Sequence, residues 1–317
     1  MKKINRIFLS ILFPFCLLFS SPLPEDKVEF FEKTFDMDPT QPAHLEFHDV
    51  DGNLSFSPSG DNTLRLQVKK EIRGRWNRKA ERLLRQTKIS VSQTGNKLTV
   101  RITYPKWKGI FFWLSDSRRI RVTSEITLPE NSRLYAKLVD GSINGRGVKG
   151  IMDLRTVDGS IELTDIRGSI RADTVDGRIH LNRIEGDVQA ETVDGNVRIS
   201  GDIKSLRVDA VDGNIKVAVS PLSFMEKSWR IKTIDGDVEI FLPEDFSAEL
   251  DLHSGDGRVT SDFPLHLGGV YSKRTITGRL NAGGPLLIVK TSDGHIALKR
   301  WKGPEVLFPD PNDDDSY

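Results

Sequence analysis

Asp-Gly recurs at Asp140, Asp158, Asp176, Asp194 and Asp212, four consecutive intervals of 18 residues with no insertion. A strict period of this length describes a stack of like units, each burying its neighbour's apolar surface. Gly150, Gly168 and Gly186 fall halfway between, so the finer unit is nine residues. In that frame the first position reads Val139, Val148, Val157, Ile166, Val175, Ile184, Val193 and, after a miss at Asp202, Val211. The fifth runs from Ile143 through Ile161 and Ile179 to Ile215, and the seventh alternates large and small as Leu163, Ala172, Leu181, Ala190. Positions five and seven read as one face of short β-strands, with β-branched residues dominant.

Asp-Gly between such strands is also the signal of a tight hairpin. A hairpin would set Val157 opposite Ser160 and Ile161 opposite Thr156, which breaks the apolar phase at every turn. Parallel stacking instead puts Val157 on Val175 on Val193, Thr156 on Thr174 on Thr192, and Asp158 on Asp176 on Asp194. The sequence therefore predicts an all-β fold, a single-stranded parallel β-solenoid with 18-residue coils, most regular over 136–217. It also predicts Val157, Val175, Val193 and Val211 as one inward column, with coils about 4.8 Å apart.

The series loosens outside this core without stopping. Asp51-Gly52 anticipates it, and Asp235-Gly236, Asp256-Gly257 and Asp293-Gly294 continue it. Ile126-Thr-Leu-Pro-Glu130 leads into one part of the series and Ile240-Phe-Leu-Pro-Glu244 into another; proline cannot donate to a ladder, so each Leu-Pro-Glu marks a strand end. Repeated Val-Asp-Gly and Thr-Val-Asp-Gly, the paired Leu-Pro-Glu blocks and Lys290-Thr-Ser-Asp-Gly-His-Ile296 resemble the bacterial toast-rack domains, also called the putative-adhesin family. The likeness spans His44 to Lys302. It implies a parallel β-solenoid at the cell envelope, in a family linked to envelope-stress systems, and it carries no catalytic residues to transfer.

The ends set the compartment. Lys2, Lys3 and Arg6 precede a 13-residue apolar run from Ile7 to Phe19, too short for a membrane span and suited to a secretory signal over residues 1–20. An uncleaved anchor is the alternative. Cys16, the single cysteine, lies inside this run behind Pro14 and Phe15, which disfavours lipidation; a processed chain has no thiol chemistry and no Cys-ligated zinc. Residues 21–40 read as an N-terminal extension, 41–302 as the solenoid and 303–317 as an acidic disordered tail. The chain is thus expected to be exported, to the periplasm, the outer membrane surface or beyond the cell.

Charge is unevenly spread. Nine Lys or Arg and two Glu fall between Lys69 and Lys88, in a chain whose formal net charge is only +1. Such a balance, in an exported protein, argues against nucleic acid as a partner. Within 71–88, Ile72, Trp76, Ala80, Leu83 and Leu84 share one helical face and the arginines the other, which predicts one short basic helix, starting as late as Asn77, that covers a terminal edge. Its exposed face, Arg78, Arg82 and Arg85, is a candidate contact for anionic lipid, lipopolysaccharide or another envelope protein. Trp107, Phe111, Phe112 and Trp113, flanked by cations between Tyr104 and Arg121, are either core or a second part of that contact.

Chemistry is sparse. Asp140, Asp158, Asp176, Asp194 and Asp212 form a column that a calcium ion would relieve of its repulsion. Calcium nonapeptides, however, need a Gly-Gly-x-Gly-x-Asp spacing that is missing here. Carboxylates bonded to their own turn amides are the expected arrangement. His44 and His48, near Asp49 and Asp51, are a weaker metal candidate. No nucleophile, metalloprotease or phosphate-loop motif is present, so neither a catalytic residue nor a cofactor is assigned. The chain reads as a non-catalytic, adhesin-like envelope scaffold. A membrane-associated stress component and a polysaccharide-active β-helix enzyme are the alternatives.

Overall fold

The computed structural model describes residues 28–72, 78–105, 120–264 and 269–301. The expected signal, the acidic tail and the aromatic segment with Trp107, Phe111, Phe112 and Trp113 lie outside the described residues. Strands dominate, with one helix among the described residues.

The Asp-Gly units stack as parallel coils in register, with a local irregularity where Ile184–Gly186 pair with Gly201–Ile203. Ile143, Ile161, Ile179, Val197, Ile215, Val238 and Ile296 pair in sequence on one sheet. Met152, Ile170, Val188 and Leu206 do so on the opposite sheet. These side chains, with Leu163, Ala172, Leu181 and Ala190, fill one continuous core between the two sheets. No Asp-Gly closes a hairpin; Asp51, Asp140, Asp158, Asp176, Asp194, Asp212, Asp235 and Asp293 meet edge to edge in parallel.

The Val column is the main correction. Val157, Val175, Val193 and Val211 point outward, 37–46% exposed, and Thr156, Thr174 and Thr192 occupy the interior in their place. Strand alternation is the reason. Met152 and Leu154 face in, and the alternation carries through Thr156 before the chain turns, so Val157 falls outside. Each threonine hydroxyl then donates to the glycine carbonyl one coil back: Thr156 to Gly141 at 2.9 Å, Thr174 to Gly159 at 2.9 Å, Thr192 to Gly177 at 3.4 Å. Thr233, Thr291 and Ser254 repeat the bond on later coils. The opposite corner is different. There the chain turns through positive φ at Gly147, Asp165 and Arg183, which resets the alternation and leaves Val148, Ile166 and Ile184 buried.

Both ends depart from a simple coil-by-coil ascent. The coil formed by Ala43–His48 and Gly52–Pro58 sits between Lys97–Thr103 with Ile120–Leu128 on one flank and Asn131–Lys137 with Ile143–Arg146 on the other. At the far end, Leu286–Thr291 and Ile296–Arg300 are inserted between Trp229–Lys232 with Val238–Leu242 and Ala248–Ser254 with Val259–Ser261. Antiparallel strands, which the repeat gave no reason to expect, finish the rack: Val28–Asp36, Thr63–Ile72 and Lys88–Thr94 at one end and Thr275–Leu280 at the other. Leu128 and Leu242 end their strands before Pro129 and Pro243, as the Leu-Pro-Glu blocks predict.

The helix is shorter than 71–88. It spans Arg78–Gln86, and Ile72 belongs instead to the preceding strand. Ala80, Leu83 and Leu84 enter the core as the periodicity predicts. Lys70, almost buried, donates to the Leu84 and Thr87 carbonyls at 3.3 Å, where a cation offsets the free carbonyls of the helix C-terminus.

Candidate binding groove

The sequence-predicted sites do not converge on one place. Asp140, Asp158, Asp176, Asp194 and Asp212 line an exposed edge beside the outward Val column. Their turn amides bond to backbone carbonyls of adjacent coils (Gly159 N to Asp176 O at 2.9 Å, Asp176 N to Val157 O at 2.8 Å) rather than to their own carboxylates. Among the described residues no group of three or more His, Cys, Asp or Glu is arranged to hold a metal ion. His44 and His48 lie on the outer face, His48 against the Tyr135 ring at 5.6 Å, whereas Asp49 turns into the corner. Arg78, Arg82 and Arg85 are exposed on the helix, with Arg85 paired to Glu81.

Asp49 holds the corner position that Thr156, Thr174, Thr192, Thr233 and Thr291 take in their coils. It is 4% exposed, and its Oδ1 accepts from the Val50 amide at 2.7 Å while Oδ2 has no hydrogen-bond partner. The Tyr104 hydroxyl beside it donates to the Asp51 carbonyl. Burial pushes the Asp49 carboxyl up to about 6, against the opposing pull of its hydrogen-bonding neighbours.

Sequence reading missed a groove of about 940 Å³ on the positive-φ side of the rack. Its wall is a set of ion pairs, each spanning one coil step: Lys149–Glu130 at 2.6 Å, Arg167–Glu185 at 3.1 Å, and Arg183–Asp165, a two-point pair at 2.6 and 2.8 Å. The Arg183 guanidinium holds the Asp165 carboxyl below the usual range. Between the pairs, the Ser200 hydroxyl donates to Asn182 Oδ1 at 2.8 Å and accepts from the Arg183 amide at 3.2 Å.

One end of the groove is apolar. Trp301 packs on Ala218 and Phe241, held by its amide to the Leu242 carbonyl at 2.7 Å. Leu222 stands exposed opposite, on a turn fixed by Ser220, which donates to Asp202, and by Ser223, which donates to the Gly201 carbonyl at 3.1 Å. Burial, reinforced by the Glu185 charge, raises the Asp202 carboxyl. The one sequence signal of this site was the odd pair Asp165 and Arg183 at a corner where Gly147 and Gly201 also have positive φ.

Comparison with known proteins gives low-identity likenesses. Over 86% of the chain it resembles all of a "putative cell adhesion protein" from Clostridium sporogenes, at 12% identity and a TM-score of 0.30. A "putative adhesin" from Bacteroides fragilis matches at 9% identity and 0.34, covering 85% of this chain and 96% of that one. A "putative lipid binding protein" from Parabacteroides distasonis matches at 12% and 0.39, covering 87% and 98%. No curated protein matches. Residues 200–299, the coils from the Ser200 wall of the groove almost to Trp301, match the Toastrack DUF4097 family model.

Proposed function

We propose that the chain is a non-catalytic, exported cell-envelope protein whose solenoid is a rigid binding scaffold. The observation that carries this reading is the preformed groove. Apart from Asp202, its charged side chains are neutralised in ion pairs along the stack, and its apolar end is fixed by the backbone hydrogen bond of Trp301. Side chains committed to one another in this way suit recognition better than proton transfer, which needs a group free to change its charge. Export rests on the basic start and the apolar run of residues 1–20. Expression of the full chain in a bacterial host, with fractionation and mass spectrometry, tests it. The expected product is in the envelope fraction and cut near Ser20; an intact product confined to the cytosol overturns export.

A second reading, attachment to an anionic membrane surface, is favoured by the helix. It buries Ala80, Leu83 and Leu84 and leaves Arg78, Arg82 and Arg85 outside. Trp107, Phe111, Phe112 and Trp113 belong to this proposal through their composition.

A further inference from the structure

The groove is periodic, and its period selects a ligand. Its polar side chains come from successive coils, so polar contacts are offered at steps of about 4.8 Å along the stack. Asp165–Arg183 and Arg167–Glu185 bridge one coil junction and Asn182–Ser200 the next. A polymer that meets the wall equally at each step must advance by a similar distance per unit. An extended polypeptide does not: it rises about 3.3 Å per residue and returns a side chain to the same face only after twice that. An extended chain of pyranose rings advances by nearly one coil per ring.

Charge and chemistry select in the same direction. Lys149, Arg167 and Arg183 already sit on carboxylates, so a polyanion would have to displace Glu130, Glu185 and Asp165 to reach them. What the wall offers instead is donors beside acceptors. The Asn182 amide Nδ2 has no partner among the described residues and adjoins the Ser200 hydroxyl, a pairing that suits neighbouring hydroxyls on a ring. The Trp301 indole and Leu222 close one end, and the apolar C–H face of a sugar ring stacks on such a surface. The volume of about 940 Å³ lies near the top of the roughly 300–1,000 Å³ range of ligand pockets, which leaves room for several rings.

We infer that this groove binds a neutral, extended polysaccharide, one ring per coil, with a terminal ring against Trp301. The inference rests on the scaffold reading and names the ligand class of that same site. Calorimetric titration of the purified protein with cellohexaose, chitohexaose and maltohexaose, and with their disaccharides, tests it. At least one hexasaccharide is expected to bind more tightly than its disaccharide, with an affinity unchanged by added salt. Trp301→Ala is expected to weaken binding about tenfold or more, and Asn182→Ala to weaken it with the thermal melt unchanged, which separates contact from folding. Silence from all three hexasaccharides overturns the inference, as does binding that salt abolishes or that neither substitution alters. An exported protein that binds no sugar removes this ligand and leaves the scaffold; a cytosolic protein that binds sugar does the reverse.

Discussion

The Gly177 α-carbon sits so close under the Gly159 carbonyl that a β-carbon added there would lie 2.2 Å from its oxygen. Each Asp-Gly corner rests on the backbone of the corner below, and Gly177 also holds φ at 151°, a conformation that favours glycine. Gly177→Ala is therefore expected to cost about 3 kcal/mol from overpacking and backbone strain, read by urea denaturation. Asp176→Asn is expected to be neutral or slightly stabilising, since its carboxylate is exposed beside Asp158 and Asp194. A large loss on Asp176→Asn would show that the charge matters and would reopen the calcium column.

Asp49 makes the N-terminal coil sensitive to pH. Its carboxyl titrates at about 6 in the fold and near ~3.9 in an unfolded chain, so the folded state binds this proton more tightly. Its contribution to stability is full below pH about 4 and is lost as pH rises to about 6. Asp49→Asn keeps an oxygen for the Val50 amide and removes the buried charge. It is expected to stabilise by up to about 3 kcal/mol at neutral pH, with the gain vanishing in acid. Denaturation curves at both ends of that window check the sign; a gain that is the same at both would place the effect outside Asp49 ionisation.

The membrane reading makes a separate forecast. Each cation near an anionic bilayer adds roughly 1 kcal/mol, and Arg85 adds less because Glu81 holds it. Replacing Arg78, Arg82 and Arg85 together by Glu is expected to lower binding to phosphatidylserine vesicles by at least about tenfold, and high salt to do the same. Vesicles of neutral lipid serve as the control. Wild-type protein that ignores anionic vesicles at low salt reduces the helix to a solvated cap.

The middle of the rack was legible because one 18-residue coil dictates the next: register, corner glycines and the Ile and Leu columns all follow from the period. The Val column misled because its hydrophobicity was weighed above strand parity, although Leu154 and Thr156 already carried the alternation past the point where Val157 could face in. The groove was illegible for another reason. Lys149, Arg183, Ser200 and Trp301 share no motif, and Trp301 reaches the wall because its strand returns to pair with Val238–Leu242. The basic helix announced itself by its periodicity, but its start was obscured because the strand Thr63–Ile72 runs straight into the same charged segment.

The inserted end coils also decide how such a molecule can change in size. The coil Ala43–Pro58 and the coil Leu286–Arg300 each have a neighbour on both flanks, and antiparallel strands cover both sheets beyond the first and the Ala248–Ser254 strand beyond the second. Between Asn131 and Val219 every junction is parallel, with a local register irregularity where Ile184–Gly186 meets Gly201–Ile203, and an 18-residue duplication away from it would meet like contacts above and below. Taller or shorter forms of this rack can therefore arise by gain or loss of coils in the middle, while the two ends are carried along and the groove wall, built from those same middle coils, lengthens or shortens with them.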